Sequence, residues 1–189
     1  MLSPRFGTDI TISGLGLTLR EWTDDDVPAM ADLFDDPDVA RFTPLRSPFD
    51  RDAARDYLDA ARRARAEDRK LQLAITSDGR APQGEVLLFR CVADDPAHRF
   101  GGPAAELGYA IGPRHRRQGL ASRAVRLLAG YARETLGFST VVLRIDPDNA
   151  GSERVAQASG FELTDLAPMS RGTVRDRLLT WRHVAGDAG

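Results

Sequence analysis

The stretch Glu106-Leu-Gly-Tyr-Ala-Ile-Gly-Pro-Arg-His-Arg-Arg-Gln-Gly-Leu-Ala121 decides how the rest of the chain is read. Residues 105–111 have the pattern of a strand. A basic, glycine-containing turn follows at Pro113 and opens directly into a long helix from about Gln118 to Leu136. The first N–H groups of a helix have no internal partner and carry a partial positive charge. Gly119 and the small Ala121 let a ligand come close to those donors, and Arg114, Arg116 and Arg117 add full charge at the mouth. These residues predict a phosphate or pyrophosphate site, with a solvated arginine cluster capping a core helix as the plain alternative. The turn lacks the Gly-Lys-Ser/Thr ending of a Walker loop and the GxGxxG spacing of a dinucleotide turn.

Downstream of the turn, Leu120, Ala124, Leu127, Leu128, Tyr131 and Leu136 form the buried stripe of the helix, with Arg123, Arg126 and Arg133 outside. Residues 140–145 are a β-branched strand stopped by Asp146-Pro147, and a short helix over 150–159 ends at Gly160. Residues 161–166 and 174–181 read as two final strands.

Upstream, Ile10-Thr11-Ile12 with Leu15, Leu17 and Leu19 suggests an opening strand or hairpin. Val27, Met30, Ala31 and Phe34 take helical spacing behind Asp24-Asp25-Asp26, with Pro28 in the first turn. Residues 44–48 are a loop, and Asp50 caps a second helix with Ala54, Tyr57, Leu58 and Ala61 inward and Arg62, Arg63 and Arg65 outward. Strands at 71–76 and 84–91 flank a turn at Asp78-Gly79, and 94–103 is a polar loop. The expected order is β-α-α-β-β-β-α-β-α-β-β, an α/β mixed sheet with helices on both faces in one domain spanning 1–189.

The bulk composition sets limits on function. A formal net charge of −2 gives no global basic field, so nucleic acid and anionic membranes are not expected partners. Cys91 is the only cysteine, which excludes an internal disulfide and fits a reducing compartment. It reads as a small buried hydrophobe, with nothing near it in sequence to lower its pKa. No signal-like N-terminus or membrane-length apolar run occurs, so the expected location is cytoplasmic. His98, His115 and His183 are scattered, and no metal is expected.

Arg116-Arg117-Gln118-Gly119-Leu120-Ala121 resembles the Arg/Gln-x-x-Gly-x-Gly/Ala signature by which GNAT N-acetyltransferases hold the pyrophosphate of coenzyme A. Glu106–Ile111 resembles the strand before it. Asn149-Ala-Gly-Ser152 with Ala156 and Ser159-Gly160-Phe161 resembles the family's next helix. The Asn-x-x-Ser variant and the Glu-Leu-Gly-Tyr strand look most like the RimJ/RimL-type branch, whose members acetylate protein N-termini or small amines.

The resemblance implies a mostly antiparallel twisted sheet, acetyl-CoA as cosubstrate, and direct attack by a primary amine in a ternary complex. Implied cofactor contacts are Ile111, Arg116, Arg117, Gln118, Gly119, Leu120, Ala121, Ser122 and Asn149. A main-chain N–H near Ile111 would polarise the thioester carbonyl, and Asn149 would hold the pantetheine arm, cap its helix, or do both.

An α-amine has a pKa of about 7.7–8.0 and a lysine amine about 10.4, so a base is needed far more for the second. Glu106 is the candidate base, directly or through water; an ordinary strand-edge carboxylate is its plain role. Many GNAT enzymes carry a tyrosine seven residues after this Asn to protonate the leaving thiolate; here that position is Ala156. Ser152 is the substitute, and also a routine capping residue; Tyr109 is a second candidate whose plain role is packing. Trp22, Arg41, Phe42 and the 44–48 loop fall where similar enzymes build the acceptor pocket. A different acyl donor, or a non-catalytic acyl-CoA-binding sensor, is the rival reading. The sequence leaves a homodimer open.

Overall fold

The computed structural model describes residues 5–7, 9–171 and 175–184. The opening alternation is a hairpin, with β1 (Thr11–Gly14) antiparallel to β2 (Leu17–Glu21) and Gly14 facing Leu17. Its two-residue loop, Leu15-Gly16, has φ of 50° and 70°, the turn hand that matches strand twist. A 3-10 turn at Asp24–Asp26 then leads into α1 (Val27–Phe34), with Pro28 in the first turn as expected. Asp26 turns inward, and its carboxylate accepts hydrogen bonds from Arg20 at 2.7 and 2.9 Å.

A short helix follows that the sequence reading lacks, α2 (Pro37–Phe42), capped by Asp36 through the amides of Asp38 and Val39. Six residues are too few to display a hydrophobic period. Helix α3 (Arg51–Ala66) is capped by Asp50, as read. Arg65 departs from its expected outward position: it folds back to Glu21 at 3.2 Å.

Three antiparallel strands come next, β3 (Lys70–Thr76), β4 (Gly84–Arg90) and β5 (Ala104–Ile111), and the 94–103 loop contains a 3-10 turn at Pro96–Phe100. Helix α4 (Leu120–Glu134), β6 (Thr140–Ile145) and α5 (Ala150–Ala158) follow, then β7 (Phe161–Leu163), β8 (Met169–Arg171) and β9 (Arg175–His183). The expected strand at 161–166 is therefore shorter, and β8 is an addition. Val174 of the expected last strand lies outside the described residues.

The strand order is β1-β2-β3-β4-β5-β6-β9-β7, with β8 paired to β9 off this path. Among the described strands only β5 and β6 run parallel; the other pairs are antiparallel. Each face of the sheet has its own core. On one, Leu120, Ala124, Val125, Leu128 and Ala129 of α4 pack with Leu73, Val86 and Leu107 of the strands. Small residues let α4 sit close, and a Cβ on Gly14 would come within 2.8 Å of Leu127 Cδ2. On the other face, Met30 and Phe34 of α1, Val39 of α2 and Leu58 of α3 pack with Ala74 and Ala110. Burial of such side chains contributes about 1.5–3 kcal/mol each. No helix among the described residues is long and apolar enough to cross a membrane.

Candidate active site

The pairing of β5 with β6 runs from Ala104 opposite Thr140 to Leu107 opposite Leu143 and stops there. Strand β5 continues to Ile111 along β4, while β6 continues to Ile145 along β9. The two strands therefore part after Leu107, leaving one edge of residues 108–111 facing a gap. Gly112 N–H donates to Gln83 O at 3.1 Å on the β4 side. The Ile111 carbonyl points the other way and accepts from Arg116 Nε at 3.2 Å. In extended chain, N–H and C=O of one residue share a side, so the Ile111 amide is directed toward the gap. This is the donor direction that polarising a carbonyl requires.

A cavity of about 760 Å³ opens over this gap. Its walls come from β5 (Tyr109, Ala110, Ile111), the turn into α4, the start of α5, and α2 with Thr43. Of the cofactor contacts expected from sequence, Ile111, Arg116, Arg117, Gly119, Leu120, Ala121, Ser122 and Asn149 line it. Gln118 does not: its side-chain amide turns back to the Arg114 carbonyl at 3.3 Å. Arg41 and Phe42 line the cavity too, whereas Trp22 is buried in the core of the other face.

The turn is shaped for an anion by its backbone. Arg117 (φ 59°) and Gly119 (φ 70°) are both left-handed, and Gly119 is the N-cap of α4. Such reversals point successive N–H groups into a concavity, adjoining the unpaired donors of Leu120, Ala121 and Ser122. Gly119 thus lies one residue before the helix, not within its first turn.

Arg116 departs from its expected role. Its guanidinium is held by Asp36 and Asp38 at 2.5 and 2.9 Å, so it fastens α2 beside the cavity rather than offering a free charge. Arg123, expected outside, donates to the carbonyls of Leu15 and Gln118 and ties the first hairpin to α4.

On α5, Asn149 is the N-cap, its Oδ1 accepting from Ser152 N–H at 3.0 Å. The cap leaves the Asn149 side-chain NH₂ group available as a donor. Ser152 lines the cavity, as does Tyr109. The Tyr109 hydroxyl is buried and has no hydrogen-bond partner at bonding distance. Ser152 lies near enough to ease its ionisation slightly, but burial dominates and pushes the phenol up to about 12. Ala156, where a tyrosine is common among similar enzymes, is fully buried.

Glu106 is not a wall of this cavity. It alternates with Gly108 and Ala110, so it belongs to the sheet face covered by α1 and α3. Read from sequence as a candidate base or an ordinary strand-edge carboxylate, it is buried, and both its oxygens accept hydrogen bonds from Arg171 of β8. Arg144 Nε stands 3.9 Å away, and the Nη2 of the same guanidinium donates to Asp95 Oδ1 at 2.6 Å. The Arg171 partner is 65 residues on, invisible to any local reading. Burial pushes the Glu106 carboxyl above the usual range, and Arg171 and Arg144 draw it part of the way back. Cys91 is partly buried, and burial, with Asp95 and Glu106 adding to it, raises its thiol to about 12.

One cluster on that face escaped the sequence reading. Glu85 is buried on β4 opposite Ala110, accepting from Tyr57 Oη and Gln72 Nε2, each at 2.6 Å. Lys70 Nζ lies 5.1 Å from the centres of the Tyr57 and Phe89 rings. Burial lowers the Lys70 pKa and raises that of Glu85. The available signal was a lone acid inside the apolar run Gly84–Phe89.

Comparison with known proteins points the same way. A family model described as acetyltransferase (GNAT) domain matches residues 16–162. The uncharacterized N-acetyltransferase YoaA of Bacillus subtilis (strain 168) is 27% identical over 146 residues, covering 77% of this chain and 79% of that protein. Mycobacterium smegmatis RimJ in complex with CoA-disulfide superposes with a TM-score of 0.79 at 17% identity, over 97% of this chain and 90% of that one. A putative ribosomal-protein-serine acetyltransferase from Vibrio cholerae gives 0.73 at 21% identity, over 97% and 99%. At such identities the superpositions establish the fold.

Proposed function

This chain belongs to the GNAT acetyltransferase family, whose reaction carries an acetyl group from coenzyme A to an amine, and from that premise we propose how its own residues divide the work. Acetyl-CoA lies in the cavity over the β5–β6 gap, its pyrophosphate on the backbone donors of Arg117–Ser122. The Asn149 side-chain NH₂ group holds the pantetheine arm, and the Ile111 N–H polarises the thioester carbonyl. The observation that carries this reading is convergence: β5, the turn into α4 and the start of α5 share one cavity at the place where the sheet opens.

The acceptor amine approaches from the other face, where Glu106 takes its proton directly or through water. Arg171 keeps that carboxylate ionised until an ammonium group takes its place. Ser152 serves the departing sulfur. The reacting groups act within one domain, and the acceptor is a protein N-terminus or a small primary amine. The likeness to a putative ribosomal-protein-serine acetyltransferase favours a protein acceptor. The free Cys91 thiol fits a reducing cytoplasm.

Thiol release from acetyl-CoA, followed against N-terminal peptides and small amines, tests the reading. Turnover with at least one amine class is expected, and coenzyme A should raise the melting temperature. A protein that binds coenzyme A but transfers to no acceptor would favour the acyl-CoA sensor. No thermal shift at saturating coenzyme A would sink the cofactor assignment itself.

A further inference from the structure

Two cations face Glu106, and they are held very differently. We propose that Arg144 is the positioning residue of the base: once an acceptor ammonium has displaced Arg171, the Arg144 Nε–H closes on Glu106 Oε2 and keeps the carboxylate aimed at the amine. The proposal rests on the reading of Glu106 as the base.

Val142 of β6 stands opposite Glu106, so Arg144, two residues on, shares the Glu106 face of the sheet. It is the first residue of β6 beyond the last pair with β5, Leu107 opposite Leu143. Its side chain therefore rises where the two strands begin to part, and it has no exposure at all. Nη2 donates to Asp95 Oδ1 at 2.6 Å, and Nη1 donates to Thr180 Oγ1 on β9. Arg171, by contrast, ends the three-residue β8, and its side chain is 46% exposed. Arg144 is anchored in the core. Arg171 has solvent to swing into.

One atom of Arg144 is left over by these anchors. Nε is buried without a hydrogen-bond partner and lies 3.9 Å from Glu106 Oε2, beyond bonding distance. An unsatisfied buried donor is costly, and more so on a charged group. Arg171 holds both Glu106 oxygens in the free protein. Its departure frees the carboxylate to move the ångström or so that turns this approach into a charge-assisted bond of about 2.7–2.9 Å. Burial alone would draw a proton onto Glu106 just when it must accept one from the amine. Arg144 opposes that from beneath, where no substrate displaces it. The other titratable groups on this side are Asp95, whose charge raises Glu106, and the Cys91 thiol, which at about 12 is neutral.

Nitrogen-15-labelled arginine in the protein is the probe, and no acceptor is needed, because Arg171→Gln empties the place an ammonium would take. The Arg144 Nε–H signal is assigned by its loss in Arg144→Lys. In wild-type protein it should have the shift of an unbonded donor, and in Arg171→Gln it should move downfield, as a proton entering a charge-assisted hydrogen bond does. Carbon-13 glutamate spectra, with Glu106 assigned by its loss in Glu106→Gln, follow the carboxyl titration. Adding Asp95→Asn and Arg144→Gln together to Arg171→Gln, so that neither charge is left buried alone, should raise that titration by about one pH unit further, the lower end for a hydrogen bond to a charged group. With any amine that turns over, the Asp95→Asn/Arg144→Gln protein should show an acid limb of kcat at higher pH than wild type, with KM for acetyl-CoA unchanged. An Arg144 signal that stays put in Arg171→Gln would overturn the proposal, and so would equal Glu106 titrations with and without the Asp95 and Arg144 substitutions. If the combined variant does not fold, the Arg144 signal decides alone. A shifted Arg144 signal together with a Glu106→Gln enzyme at full rate would place the failure in the base reading instead.

Discussion

Arg116 Nη2 donates to Asp36 Oδ1 at 2.5 Å, joining the basic turn before α4 to α2 across 80 residues of sequence. The same Asp36 oxygen caps α2, accepting from the Asp38 and Val39 amides at 3.1 Å each. One carboxylate thus fixes both the helix start and the arginine beside the cavity. The charge of Arg116 is neutralised within the protein, whereas Arg117 is exposed at the mouth.

Two neighbouring arginines should therefore fail differently. Arg116→Ala should lower stability by on the order of 1 kcal/mol, a melting shift of about 2–4 °C in a chain of this size. Arg117→Ala should leave the melting temperature unchanged and weaken coenzyme A about tenfold, as loss of a charge-assisted phosphate contact does. Calorimetric titration and thermal melts separate the two. Desolvation pushes the Asp36 carboxyl up, but the hydrogen bonds from Arg116, Val39 and Asp38 outweigh it and hold it below its usual value. A depressed folded-state pKa gives stability that is present above the unfolded value of about 3.9 and lost as pH falls through the folded one. The gap in melting temperature between wild type and Arg116→Ala should be constant near neutrality and shrink below about pH 4. Equal coenzyme A affinities in the two variants would refute the division of roles.

The contrast between these arginines also marks how far sequence could reach. Strand β5, the turn and α4 were legible because their signals are local: a run of apolar residues, a basic Gly-containing turn, and a helical period over Leu120, Ala124 and Leu128. The caps at Asp50 and Asn149 were legible for the same reason. Helix α2 and β8 were not, being six and three residues long. The partners of Arg116 and Glu106 come from segments far away in the chain. Nothing in residues 104–111 announces that pairing with β6 ends at Leu107, because that depends on where β6 turns toward β9.

Glu106 and Arg171 give a pH-dependent prediction. Burial, opposed by Arg171 and Arg144, leaves the carboxyl above its ordinary range. If Glu106 is the base, the acid limb of the pH–rate profile should lie above the usual carboxylate value of about 4.3. Arg171→Gln removes one of the two opposing causes and should move that limb to higher pH. For a carboxylate with a raised folded pKa, stability is present below the unfolded value and lost as pH rises through the folded one. Arg171→Gln should therefore be more destabilised at about pH 8 than at about pH 5. Glu106→Gln should cut the rate by about 10²–10⁴-fold. A Glu106→Gln enzyme at full rate would show that the amine arrives already neutral.

Within the protein itself, Gly119 is required for its backbone conformation and not by neighbouring protein atoms. A Cβ there would meet nothing closer than Arg123 Nε at 4.0 Å, yet φ is 70°. Left-handed geometry costs a residue with a Cβ about 1–2 kcal/mol, and a β-branched side chain suffers more. Gly119→Ala should melt about 2–8 °C lower, with coenzyme A binding reduced if the turn relaxes out of its anion-binding shape. Gly119→Val should lose both stability and affinity to a greater degree. If Val binds coenzyme A as tightly as wild type, the pyrophosphate is not held by this turn.

Asn149 has two tasks in this reading, and two substitutions pull them apart. Its Oδ1 accepts from Ser152 N–H at 3.0 Å and so caps α5, while its NH₂ group is the donor assigned to the pantetheine arm. Asn149→Ala removes both. It should cost about 0.5–2 kcal/mol of stability and weaken coenzyme A as well. Asn149→Asp keeps an oxygen for the cap and adds a negative charge at a helix N-terminus, which the helix dipole favours. Its melting temperature should equal or exceed that of wild type. The same change replaces the NH₂ donor with an acceptor facing a pantetheine carbonyl, and an unmatched pair of acceptors costs about 1–3 kcal/mol. Coenzyme A should then bind about 5- to 100-fold more weakly to a protein that is no less stable. Loss of affinity in Asn149→Ala alone, with Asn149→Asp binding normally, would mean that Asn149 serves only to cap α5 and that the pantetheine arm is held elsewhere.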